Sequence, residues 1–153
     1  MDWLFGVTKK RINKLRLITM KSLSRLNILR YFTIIILLAF IILTLFLSSS
    51  VIFDWFGIRA KEGNYVLFVV WANLISSLLY IASVYGLITL KKWSFKPLLI
   101  SALLLIAALI GLYFHINSGG IYETKTIGAL FFRITVTLVF TFLTYLTTLK
   151  WNQ

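Results

Sequence analysis

Four long apolar segments constrain this chain more than any other feature. They occupy residues 31–53, 66–90, 97–115 and 126–149, and Arg133 is the only Asp, Glu, Lys or Arg within them. A helix that crosses the roughly 30 Å hydrocarbon core of a bilayer needs about 20 predominantly apolar residues, and each segment meets or approaches that length. The sequence therefore predicts an integral membrane protein with four spanning helices.

The links between these segments predict the arrangement of the helices. They are short, no internal repeat is visible, and the single proline, Pro97, falls at the start of the third segment, where the first turn of a helix tolerates it. Short links make consecutive helices antiparallel neighbours. The sequence thus predicts an all-α, integral membrane, up-down-up-down four-helix bundle, with a basic segment at residues 1–30 ahead of a transmembrane domain at 31–153.

The composition argues against a soluble globule. Hydrophobic residues make up 60% of the chain and charged residues only 13%. So little polar surface cannot coat a water-soluble domain of this size, whereas lipid can solvate the apolar excess. The chain contains no cysteine, which excludes disulfides, thiol nucleophiles and thiolate metal sites.

The distribution of charge predicts the orientation in the membrane. Eight of the 16 Lys and Arg residues lie within residues 1–30, and three more lie in the link between the second and third segments. Three of the four acidic residues, Asp54, Glu62 and Glu123, fall on the opposite side. Because cytoplasmic loops carry an excess of Lys and Arg, both termini are predicted to be cytoplasmic. We expect a multi-pass protein of a bacterial inner (plasma) membrane, since the usage of Lys, Ile and Asn is typical of a low-GC bacterium.

Residues 1–30 are predicted to form an amphipathic helix on the membrane surface. Most of their apolar side chains fall within one arc at about 100° per residue, and several basic side chains project the opposite way. We expect the basic face to contact anionic lipids on the cytoplasmic surface. Its predicted lipid-contacting residues are Lys9, Lys10, Arg11, Lys14, Lys21 and Arg25. A docking surface for a membrane-protein partner or for nucleic acid is the alternative, and the charge directly before the first span favours lipid over nucleic acid.

Two polar stripes run along the second and fourth segments. One consists of Asn73, Ser76, Ser77, Tyr80 and Ser83, and the other of Arg133, Thr137, Thr141, Thr144 and Thr148. Each stripe occupies an arc of about 120° or less on its helix. Asn73 and Arg133 each lie seven residues inside their predicted spans, at about 10 Å below the outer interface. We therefore expect the two stripes to face each other inside the bundle.

The outer half of the bundle is the candidate functional site. Its predicted residues are Asn73, Ser76, Ser77, His115, Glu123 and Arg133. An arginine inside a membrane segment is normally paired, hydrated or snorkelling, and such residues often mark ligand pathways. Arg133 is interpreted as a clamp for an anion or a lipid headgroup. The alternatives are that it snorkels or pairs with Glu123 or Asp54 to lock the helices together, or that it faces lipid.

His115, the only histidine, stands before a loop that carries Gly119, Gly120 and Glu123. The two glycines permit a tight turn that would bring Glu123 back toward the imidazole. His115 and Glu123 are weak candidates for a metal or proton site, since one imidazole without cysteine makes no strong site alone. A capping histidine in a compact hairpin is the alternative, and we expect no resident cofactor.

No catalytic constellation is visible in the sequence. The chain has no serine with a nearby base, no H-E-x-x-H motif, no P-loop and no Rossmann glycine pattern. No catalytic residue is therefore assigned, and an enzyme is the class of protein that the sequence favours least.

Several short stretches resemble a group of small four-span bacterial membrane proteins. They are Val69-Val70-Trp71-Ala72-Asn73, Tyr80, Gly86-Leu87, Lys92-Trp93, His115-Ile116, the stretch Gly119-Gly120-Ile121-Tyr122-Glu123-Thr124-Lys125-Thr126, and Arg133. In size and layout the chain also resembles the DoxX-like four-helix proteins, over residues 50–148. This resemblance implies a bacterial inner membrane and a four-helix fold, and it implies no particular activity.

Two functions follow as hypotheses. In the first, the protein is a binding or transport-accessory module whose outer-leaflet polar pocket holds an anion, a lipid headgroup or an ion. In the second, it is a structural or assembly subunit in which the same polar groups staple the helices, while the basic segment or an apolar face docks a larger partner or another copy of the chain. Replacing Arg133 by leucine would abolish binding in the first case and would destabilise the bundle or release the partner in the second.

Overall fold

A computed structural model describes residues 2–58 and 63–150, with side chains described at 11, 14, 16, 20, 24–58 and 63–148. These described residues form four α-helices and one short 3-10 turn, Trp55–Gly57. The helices are α1 (Asp2–Ile52), α2 (Leu67–Ile88), α3 (Phe95–Asn117) and α4 (Thr124–Lys150). No strand occurs within these described ranges. The predicted all-α fold with four helices is confirmed.

Each helix contains a stretch that is long and apolar enough to cross a membrane. The stretches are Ser24–Ile52, Leu67–Ile88, Phe95–Asn117 and Thr124–Thr148. Their ends fall within a few residues of the predicted spans, except at the start of the first. These four helices fit a polytopic membrane protein.

The first helix runs without interruption from the basic segment into the first span. It comprises 51 residues, which gives a length of about 77 Å at 1.5 Å per residue. Arg11, Lys14 and Arg25 are exposed on it, whereas the side chains of Lys9, Lys10 and Lys21 lie outside those described. The placement of this segment on a lipid surface stays a prediction.

Arg30 differs from these basic residues of α1 because its side chain is buried, with only 7% of its surface exposed. Its guanidinium carbon lies 4.8 Å from the centroid of the Tyr31 ring. The side chain also lines a small cavity together with Gly86, Leu87, Leu90, Ser94, Thr147 and Thr148. A count of charges along the sequence does not predict this interior position.

The core of the bundle consists of two apolar clusters, one toward each end. The first contains Ile34, Leu37, Ile41, Tyr80, Val84, Leu87, Leu98 and Phe140. The second contains Val66, Val69, Leu105, Leu112, Leu130 and Ile134. Neighbouring helices pack closely along the pairs α1–α2, α2–α3 and α3–α4, while α1 and α4 approach each other less closely. The bundle therefore has one relatively open seam, between its first and last helices.

Ser94 joins three helices where α2 ends and α3 begins. The Ser83 hydroxyl donates a hydrogen bond to the Ser94 carbonyl at 2.7 Å, and the Ser94 hydroxyl lies 3.0 Å from that of Thr148. Helix α3 then begins at Phe95, two residues earlier than predicted, so that Pro97 occupies the third position of the helix, still within its first turn. Proline is tolerated there because the N–H groups of the first turn have no partner within the helix.

The close approach at Ser94 leads to a prediction about Gly86. A Cβ atom at Gly86 would lie 2.8 Å from the Ser94 Cβ and 2.9 Å from the Ser94 Cα. Gly86→Ala should lower the stability of the bundle by about 1–3 kcal/mol, the usual cost of overpacking a filled interior. Thermal unfolding in detergent measures the loss.

Gly128 provides the matched control for that substitution. It lies within α4, and a Cβ atom added there would have nothing within 4 Å apart from its neighbours in the chain and the backbone of its own helix. Gly128→Ala should be neutral or stabilising by up to about 1 kcal/mol, because alanine has the higher helix propensity. Equal melting temperatures for the two variants would contradict the close packing at Ser94.

Candidate functional site

A cavity of about 340 Å³ opens where α1 ends and where α2 and α4 begin. We call it the polar pocket. Helix α1 contributes Leu47, Ser48 and Val51 to its lining. The start of α2 and the residues just before it contribute Tyr65, Val66, Val69, Val70 and Asn73. The start of α4 and the residue just before it contribute Glu123, Lys125, Thr126, Ala129, Leu130 and Arg133. Among the described residues, helix α3 contributes none to the lining. The pocket therefore lies at one end of the open seam between α1 and α4.

The structure brings three of the six predicted site residues together in this pocket. Asn73, Glu123 and Arg133 line it. Ser76 and Ser77 are buried on α2 outside the lining. The Ser77 hydroxyl donates a hydrogen bond to the carbonyl of Leu74 at 2.6 Å. These two serines belong to the bundle interior.

His115 lies near the turn between α3 and α4, away from the polar pocket. Its Nε2 atom is 3.2 Å from the carbonyl oxygen of Ile121, and its ring meets that of Phe68 edge-on with centroids 6.3 Å apart. A Cβ atom at Gly120 would overlap the imidazole. Among the described residues, no three His, Asp or Glu side chains form a group that could hold a metal ion. The contacts of His115 are those of a residue that shapes the turn.

The position of Arg133 is supported by hydrogen bonds from inside the bundle. The Thr137 hydroxyl donates to the carbonyl oxygen of Arg133 at 2.7 Å, and the Tyr80 hydroxyl lies 2.6 Å from the Thr137 hydroxyl oxygen. Because Thr137 uses its single proton on the carbonyl, Tyr80 is the donor in the second bond. This chain of hydrogen bonds joins α2 to α4 one turn below Arg133. It also places the two polar stripes face to face at one point.

The polar pocket carries more positive than negative charge among the described residues that line it. Arg133 and Lys125 contribute two cations and Glu123 one carboxylate. The Glu123 carboxylate lies against Gly63, where a Cβ atom would be 2.7 Å from its Oε1. The first turn of α4 lines the pocket as well, and the N-terminus of a helix carries a partial positive charge. This arrangement favours a negatively charged group.

Asn73 adds a polar group to the same cavity as Arg133. Its Oδ1 atom is buried and has no hydrogen-bond partner among the described residues. A buried amide in a cavity usually has a water or a ligand as its partner, and an asparagine side chain offers both a donor and an acceptor. Asp54, the other predicted partner of Arg133, is exposed and lies outside the pocket lining.

The predicted site leaves out four polar residues that line the pocket, Ser48, Tyr65, Lys125 and Thr126. By its position in the sequence Lys125 is a loop charge and Tyr65 is part of an aromatic belt, yet both line the cavity. Lys125 lies eight residues before Arg133, close to two turns of helix, and this spacing is the available signal. For Tyr65, which precedes α2, no comparable periodic signal exists.

Comparison of the chain with models of protein families, with curated proteins and with solved structures finds no match. The resemblance to small four-span and DoxX-like membrane proteins therefore stays an expectation.

The interior hydrogen bonds yield a prediction for Tyr80 and Thr137. Tyr80→Phe removes the donor while leaving the ring in place, and should lower stability by about 1 kcal/mol, since hydrogen bonds inside membrane bundles average about 0.6 and reach about 1.7 kcal/mol. Thr137→Val should lower stability as well, and the double variant should lose less than the sum of the single losses. Strict additivity in this double-mutant cycle, measured by unfolding in detergent, would argue against the bond.

Proposed function

We propose that this protein is a binding or transport-accessory module of the membrane, in which the polar pocket holds an anionic group presented from outside. The observation that supports this most directly is the cavity between α1, α2 and α4, which places Arg133, Lys125 and Asn73 around one space. Its volume of about 340 Å³ falls at the lower end of the range of about 300–1,000 Å³ for small-molecule sites. A phosphate, a carboxylate or a lipid headgroup has suitable size and charge.

The depth of Arg133 supports a role in binding. Arg133 lies nine residues after the start of α4 at Thr124, about 13 Å along the helix axis. An arginine near the middle of a span costs about 2.5–3.5 kcal/mol on insertion scales. A cavity that admits water and an anion lowers this cost, because the guanidinium then keeps polar surroundings.

The orientation of the protein follows from its charges. We propose that both termini are cytoplasmic, that the protein resides in a bacterial inner membrane, and that the basic part of α1 contacts anionic lipids. The exposed Arg25, next to the start of the first membrane-spanning stretch at Ser24, supports this contact, as do Lys91 and Lys92, exposed in the link between α2 and α3. The polar pocket would then open to the outer side.

The absence of cysteine makes this orientation simple to test. Ser118 and Lys92 are both exposed, in the α3–α4 and α2–α3 links respectively. A membrane-impermeant maleimide should label Ser118→Cys in intact cells and label Lys92→Cys only after the membrane is opened. The parent protein supplies the background, since it has no thiol. The reverse pattern of labelling would contradict the proposed orientation.

Binding itself can be tested with inorganic phosphate as the probe, titrated into the detergent-purified full chain and followed by calorimetry. A hydrogen bond to a charged group contributes about 1.5–3 kcal/mol, so Arg133→Leu should weaken binding by about tenfold to a hundredfold or more. Arg133→Lys should lose less, because it keeps the charge but not the planar fork of donors. Lys125→Gln, at a more exposed position than Arg133, should also weaken the binding of phosphate.

Lys92→Gln is the matched control, because it removes an equally exposed charge far from the pocket. Its phosphate affinity should equal that of the parent protein. If the parent protein binds no phosphate and Arg133→Leu instead unfolds or releases a co-purified protein, the pocket is a structural staple and the protein an assembly subunit.

A further inference from the structure

An apolar groove lies along the open seam between α1 and α4. Its volume is about 490 Å³. The groove is lined by Phe32, Thr33, Ile36, Ala39, Phe40 and Leu43 of α1 and by Phe132, Thr135, Val136, Val139, Phe140 and Leu143 of α4. The hydroxyls of Thr33 and Thr135 both donate to carbonyls of their own helices, at 2.8 and 2.9 Å. These two threonines thus present mainly their methyl groups to the groove. The lining of the groove is therefore suited to contact with a hydrocarbon chain.

The residues that line the apolar groove and the polar pocket follow one another along α1. On α1, Ile36, Phe40 and Leu43 line the groove, and Leu47 and Val51 line the pocket. These positions are three or four residues apart, which places them on one continuous face of the helix.

Helix α4 shows the same continuity from the other side of the seam. Ala129 and Arg133 line the pocket, whereas Val136, Phe140 and Leu143 line the groove. These residues are again spaced by three or four. A molecule lying in the seam would therefore have a charged end near Arg133 and Lys125 and an apolar end beside the phenylalanines.

The length and the lining of the groove suit a hydrocarbon chain. From Phe32 to Leu43 the groove extends about 16 Å along α1 at 1.5 Å per residue. The groove is open at the surface of the bundle and its lining is almost wholly apolar, as a site for a hydrocarbon chain requires.

The full length of pocket and groove matches a lipid molecule. From Lys125 to Leu143 the track extends about 27 Å along α4. One leaflet including its headgroups is about 20–23 Å thick, half of a bilayer of about 40–45 Å. One lipid therefore fits with both its ends inside the track.

We propose that the polar pocket and the apolar groove form one site for a phospholipid. Its phosphate lies between Arg133 and Lys125, and one acyl chain lies between α1 and α4. This inference rests on the proposed function of the pocket, and it names the ligand class. The open seam gives the lipid a lateral entrance from the bilayer, because α1 and α4 are the neighbouring helices that pack least closely.

The test uses groove-filling variants of the full chain, analysed by native mass spectrometry after addition of phosphatidylglycerol. Ala39 lines the groove and is exposed, so Ala39→Trp fills the groove without disturbing the interior. Val139→Trp fills it from α4, where Val139 is 51% exposed. Each should reduce the occupancy of the lipid at least tenfold while leaving the affinity for inorganic phosphate unchanged. Arg133→Leu should reduce both.

Ala107→Trp serves as the matched control, because Ala107 is exposed on α3 and lines neither cavity. It should bind lipid and phosphate like the parent protein. If both groove variants retain the lipid while phosphate binding still depends on Arg133, the groove proposal is wrong and the pocket function stands. If the parent protein binds no phosphate, both fail. If the groove variants dissociate a dimer and leave lipid occupancy unchanged, the occupant is a second copy of the chain.

Discussion

The arrangement of the helices depends on where the hydroxyl groups inside the apolar bundle find hydrogen-bond partners. Most of the described threonines find a partner in their own helix by donating to the carbonyl four residues earlier, as Thr141 and Thr148 do at 2.7 Å. These hydroxyls are then satisfied without a second helix. The few bonds that cross between helices, such as Tyr80 to Thr137, consequently fix how the helices sit against one another. One such bond stands directly below Arg133, so the position of the charged residue depends on it.

The sequence was sufficient to predict where the helices lie along the chain. It was insufficient to predict which side of each helix faces which neighbour. Apolar runs near the length of a bilayer left few alternatives to four helices, and the two polar stripes contain Asn73 and Arg133, which line one cavity. The predicted inclusion of His115, Ser76 and Ser77 in the same site depended on which side of each helix faces which neighbour. Packing decides this, and α3 turns His115 toward Ile121 and Phe68 instead. The burial of Arg30 has the same origin, because it depends on how closely α2, the link after α2, and α4 approach α1 at that end.

The open seam distinguishes this bundle from one with four equivalent interfaces. Three helix pairs pack closely, and glycine or small hydroxyl residues allow this, as at Gly86 and Ser94. On the fourth side the facing residues include Phe40 and Phe132, whose ring centroids are 6.4 Å apart. Bulky rings hold the two helices apart and leave space on either side of the contact. The phenylalanines at this interface thus explain both the location of the groove and its apolar lining.

The unbroken course of α1 gives the molecule a mechanical property. One end of this helix supplies Leu47, Ser48 and Val51 to the wall of the polar pocket, and the other continues as helix to Asp2. A continuous hydrogen-bonded helix is stiff on this length scale and bends only gently unless a proline, a bulge or a similar defect interrupts it. Because of this stiffness, a change in the tilt of the basic end should also move Leu47, Ser48 and Val51 in the wall of the pocket.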